Sequence, residues 1–81
     1  MTLDPETLRT HRQSIGATLR ELAARSDITP AAISAFEGGY RPISAAARER
    51  VRLALVGIAS DRRTAVARVL RRFGRTRRNR G

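Results

Sequence analysis

The stretch DITPAAISAFEGGYRP, residues 27–42, carries the start and stop signals of one short helix. Thr29 offers a side-chain acceptor at the N-cap, and Pro30 suits the first helical position, where a missing N–H is harmless. Ile33 and Phe36 are spaced to face a core. Gly38-Gly39 then stops the helix by permitting left-handed backbone. The outward positions that remain, Pro30, Ala31, Ser34 and Ala35, have little to read a partner with.

Upstream, TLRE at 18–21 has capping-box spacing, with Thr18 as the cap and Glu21 reaching back. Leu19, Leu22 and Ala23 give this helix an apolar face over about two turns, and it closes near Ser26-Asp27. Only about three or four residues then separate it from the helix at Pro30, which is helix-turn-helix spacing. Asp4-Pro5 repeats the cap-and-proline signal, Leu8, Arg12 and Ile15 share a face, and Gly16 ends this first helix.

Downstream, Pro42 closes a loop and Ser44 caps a fourth helix with Ala47, Val51, Ala54, Leu55 and Ile58 as its stripe. A fifth helix is predicted from Ser60 or Asp61 to Phe73, with Gly57 near the break. Val66, Val69, Leu70 and Phe73 lie on one side of it and Arg68, Arg71 and Arg72 beside them. The expected fold is an all-α, compact five-helix domain over residues 1–73. Residues 74–81, GRTRRNRG, form an arginine-rich tail without periodicity, expected to be disordered when free. Because a small core needs every apolar face, the stripe from Val66 to Phe73 is expected to dock on the domain, with pairing to a second copy as the alternative.

The chain has 81 residues, no cysteine and a formal charge of +10. One modest core is all this length supports, so an enclosed catalytic cleft is not expected. All seventeen basic residues are arginine. Residues 1–61 hold eight arginines and all seven acidic residues, for +1, and residues 62–81 hold nine arginines and no acid, for +9. A polyanion partner follows, since the guanidinium fork suits phosphate. The N-terminus shows no basic region followed by an apolar run, and no segment approaches about 20 apolar residues, so a cytoplasmic protein is expected.

The register of LRTHRQSIGATLRELA, followed by Ile28, Thr29, Ile33, Ser34, Phe36, Glu37 and Gly39, resembles the Cro and phage-repressor (XRE-like) type of helix-turn-helix domain over about residues 6–58. The resemblance implies that Arg12 and Glu37 form a largely buried ion pair, and that Ala23 meets Ile33 where the second and third helices touch. It also implies that the third helix enters the DNA major groove, presenting Pro30, Ala31, Ser34 and Ala35. Two positions depart from the pattern. Asp27 stands where the family has glycine, and tolerates left-handed backbone better than most residues. Leu19 stands where glutamine usually clamps a phosphate; it serves either the core or the interface.

Pro30, Ala31 and Ala35 cannot form the paired hydrogen bonds by which arginine, glutamine or asparagine read purine edges. Methyl contact, DNA shape and arginines outside the helix are the remaining means. Thr18, Tyr40, Arg41, Arg71, Arg72, Arg75, Arg77, Arg78 and Arg80 are the candidate phosphate or minor-groove contacts. Ala23, Ile33 and Phe36, with the Arg12–Glu37 pair, are structural. The leading expectation is a sequence-preferring double-stranded DNA-binding regulator, a small repressor or Cro-like protein of phage or bacterial type, with a homodimer on DNA as a further association. The alternative is an adaptor or antitoxin-like module whose plain third helix contacts a protein. RNA binding by the tail is weaker, because Phe36, Tyr40 and Phe73 are the whole aromatic set. No enzyme, metal or cofactor is expected: His11 is the only histidine, and no carboxylates join it in a ligand or acid–base pattern.

Overall fold

The structure, a computed structural model, describes residues 3–74. Among these residues it holds α1 (Pro5–Ser14), α2 (Leu19–Ser26), α3 (Pro30–Glu37) and α4 (Ala45–Phe73), and no strand. The tail arginines Arg75, Arg77, Arg78 and Arg80 lie outside the described residues.

Each helix starts where a side chain takes over an orphan amide. Asp4, Thr18, Thr29 and Ser44 accept from the backbone N–H groups of Thr7, Glu21, Ala32 and Ala47 at 2.7–3.1 Å. The capping box is complete, since the Thr18 amide donates to Glu21 Oε1 at 2.9 Å. α1 ends in a Schellman motif: Gly16 sits at φ 66°, and the Ala17 and Gly16 amides donate to Arg12 and Gln13 carbonyls. α2 ends at Asp27, whose φ of 63° is the only positive value at a non-glycine among the described residues. The expected left-handed turn is therefore present, with aspartate tolerating it.

Leu8, Ala17, Leu22, Ala23, Ile33, Phe36, Val51, Ala54 and Ile58 make the buried core. α2 lies at its centre, packed on both α3 and α4, and α1 closes against α3. Leu19 packs half-buried on this core, so its side chain serves the interior. The Arg12 guanidinium spans the core edge, donating through Nε and Nη2 to the two Glu37 oxygens at 2.7 and 2.9 Å and through Nη1 to the Ala17 carbonyl at 2.9 Å. The Glu37 side chain is only 2% exposed, and Arg9 reaches it at 3.8 Å as a second, looser cation.

The five-helix expectation is corrected to four, because residues 45–73 form one unbroken helix. Ser60 and Asp61 look like a helix start, but the Asp61 carboxylate is taken by Arg25 of α2 and caps nothing. Gly57 does not break the helix, and the Arg25 guanidinium passes beside it on the way to Asp61. The expected docking of the distal stripe also fails. Every residue from Arg63 to Phe73 is exposed, including Val66, Val69, Leu70 and Phe73. The short body has run out by then, and the molecule measures 54 × 23 × 20 Å because α4 projects past it.

Removing one end of a buried ion pair strands the other. Arg12→Ala is expected to lower stability by about 3–5 kcal/mol, read as a shift in the urea midpoint. A loss of less than about 1 kcal/mol would show that Glu37 finds water or Arg9 at no cost.

Candidate nucleic-acid interface

α3 is gripped from one side and open on the other. Ile33 and Phe36 enter the core and Glu37 is fixed by Arg12, so the helix cannot roll about its axis. The positions between them point away: Pro30, Ala31 and Ser34 are exposed and Ala35 is half-buried. These four candidate reading residues therefore share a single outward face. It carries one hydroxyl, no charge, and enough small side chains for close backbone approach.

The exit from α3 brings two further candidates beside that face. The Tyr40 amide donates to the Ala35 carbonyl at 2.9 Å and the Gly39 amide to Phe36 at 3.0 Å, a second Schellman motif with Gly39 at φ 78°. The Arg41 amide also donates to Ala35, at 3.3 Å, which sets Arg41 against the last turn of α3. The two glycines divide the work that the sequence assigned to both. Gly39 supplies the left-handed backbone, and Gly38 has ordinary φ but lies under the Tyr40 ring, whose carbons would be 2.5 and 2.7 Å from an added Cβ.

Thr18 marks the α2 start. Its hydroxyl oxygen accepts from Glu21, while the amides of Leu19 and Arg20 stand ahead of the intrahelical ladder and are open to an anion. The Glu21 carboxylate is held below its ordinary value by the Thr18 amide first and by Arg62 second, so the cap keeps its charge in mildly acidic solution. The sequence reading passed over Arg20, which lines an open groove with Thr29 and Pro30 at the α2–α3 turn. Its place in TLRE drew notice for capping alone. Arg20 is a cation at the entry to α3, as Arg41 is at the exit.

Arg71 and Arg72 are not gathered with these groups. They lie in the last turn of α4, with the Arg72 guanidinium 5.8 Å from the Phe73 ring centroid. Two arginines of α4 that the sequence left without a role, Arg50 and Arg62, are ties to the rest of the fold. Arg50 Nε donates to the Ser26 carbonyl at 3.1 Å and closes the end of α2. Arg62 donates to the carbonyls of Ile15 and Gly16 at 3.1 and 3.2 Å and to Glu21 at 3.0 Å. Among the described residues no group of histidine, cysteine and carboxylates is arranged to hold a metal ion, and no helix is long and apolar enough to cross a membrane.

A left-handed site costs a side chain about 1–2 kcal/mol, so Gly39→Ala should lower stability by that amount in a denaturant titration. No family model, curated protein or solved structure matches the chain in comparisons with known proteins.

Proposed function

We propose that the chain is a sequence-preferring regulator of double-stranded DNA, a small Cro-like or repressor-like protein in which α2 and α3 act as a helix-turn-helix. The observation that carries this reading is the single exposed face of α3, held immobile by Ile33, Phe36 and the Arg12–Glu37 pair on its opposite side. A helix inserted into the major groove must be presented in just that way, free outside and fixed inside. Pro30, Ala31, Ser34 and Ala35 then meet base edges through methyl contact and one hydroxyl, and sequence preference draws on groove shape as well. Thr18 with the amides after it, Arg20, Tyr40 and Arg41 bind phosphates on either side and set the register. The net +9 of residues 62–81 supplies affinity along the backbone or in a minor groove. Occupancy of an operator would exclude other proteins from it.

The alternative reading, an adaptor or antitoxin-like module, is favoured by one observation: three of the four outward α3 residues have no side-chain donor or acceptor. A smooth face of that kind also suits a protein surface, with the arginines then adding unspecific nucleic-acid affinity.

Random-site selection on duplex DNA separates the two. Ala31→Gln is expected to change the selected motif, because glutamine can pair with adenine, while affinity for random duplex stays within about threefold. An unaltered motif would remove α3 from base reading. Deleting residues 74–81 removes four arginines. The log–log salt slope of binding should then fall by roughly 0.9 for each phosphate that is no longer neutralised, and an unchanged slope would exclude the tail from the complex.

A further inference from the structure

The projecting end of α4 has a direction as well as an exposed stripe. Val69 lies about five full turns beyond Val51, so the two share one face of the helix. Val51 is 0% exposed in the core, whereas Val69 is 55% exposed. Leu55, packed on the core, stands in line with Phe73 in the same way. The stripe is therefore the core face of α4 carried past the end of the body, and Ile58 and Arg62 are the last residues that touch it. Body and helix form an L, with Val66, Val69 and Leu70 facing the inside corner. From Arg63 onward the arm is about 16 Å of helix.

We propose that the occupant of this corner is the arm of a second copy, laid antiparallel in an isologous dimer. Three features of the chain select it. First, a flat anionic surface cannot reach the stripe, because the body protrudes on the same side. Second, parallel arms with stripes facing would force both bodies into the space between the helices, whereas antiparallel arms put the bodies at opposite ends. Third, Val66, Val69, Leu70 and Phe73 follow at spacings of three, one and three, which read identically in reverse. Antiparallel pairing about a two-fold axis between Val69 and Leu70 sets Val66 opposite Phe73. It also keeps Arg71 and Arg72 of one arm away from those of the other.

The arms alone cover roughly half of the about 800 Å² per partner of a standard interface, and the corner contact with the other body adds to it. Arg68 and Arg71 lie on the backs of both arms, with Arg63 and Arg72 flanking the stripe, and no salt bridge among the described residues engages any of the four. The dimer is consequently weak at low ionic strength and tightens as salt screens the arginines, the opposite of the trend for DNA binding. This inference stands apart from the DNA reading, since the association is measured with no nucleic acid present.

The experiment is sedimentation equilibrium of the full chain, free of nucleic acid, at several salt concentrations. A concentration-dependent dimer that tightens at least about threefold between 0.1 and 1 M salt is expected, as the screening length shrinks from about 10 to 3 Å. Val69→Gln with Leu70→Gln should raise the dissociation constant more than about tenfold while circular dichroism of the arm is kept, because glutamine favours helix at least as well as valine. Oxidation of single-cysteine variants reads the orientation: Val66→Cys mixed with Phe73→Cys should cross-link faster than either variant with itself. A monomer at every concentration and salt, a dimer indifferent to the glutamine pair, or self-cross-linking that outruns the mixed pair would each overturn the proposal.

Discussion

The structure depends first on one guanidinium. Arg12 joins the last turn of α1 to the last residue of α3 through two parallel hydrogen bonds and gives its remaining fork to the Ala17 carbonyl at the entry to α2. A planar, permanently charged group can serve three elements at once in a way that a lysine ammonium cannot. The pair is costly to bury and still more costly to break, so its value lies in geometry: it fixes which face of α3 is inside. The outward face of that helix is a consequence, set by phase from Ile33, Phe36 and Glu37.

The same economy runs through α4. Eighty-one residues allow a core of nine buried apolar side chains, several of them alanine, and little apolar area remains to hold the long helix down. Arginines take up that role by donating to carbonyls at the ends of the short helices. Arg50 satisfies the end of α2, and Arg62 satisfies the α1–α2 connection while bracing the carboxylate that caps α2. Such bonds join exposed side chains to otherwise orphaned backbone, so they orient the helices more than they stabilise them. The chain's arginine excess thus has two parts, one consumed in building the fold and one exposed on the distal helix.

What the sequence made legible was local. Asp4, Thr18, Thr29 and Ser44 each mark a helix start within three residues of the amide they satisfy, and Asp27 is readable as a left-handed turn residue because few others tolerate that backbone. The outward face of α3 was readable too, since two core residues fix the phase of a short helix. The failures were non-local. Nothing near Ser60-Asp61 announces that Arg25, 36 residues earlier, will claim the Asp61 carboxylate and let the helix run on. Nor does the sequence say where the body ends, so a stripe that could pack inward looked as though it must. Arg20 was hidden differently, by lying inside a motif whose capping role was sufficient explanation.

The unbroken α4 also bears on how the chain comes together. α1, α2 and α3 follow one another through short turns, and their principal long tie, Arg12 to Glu37, closes a separation of only 25 residues. Of the ties made by α4, Arg50 to Ser26 is as short, at 24 residues, whereas Arg62 to Ile15 spans 47. Contacts between distant parts of the chain reward the protein only after a large loop has been closed. The three short helices can therefore settle against each other before the Arg62 end of α4 is seated, and that end is the first to come away when the molecule is pulled or digested. The two arginines on either side of Ile58 mark the order: Arg50 seats the helix, and Arg62 latches it.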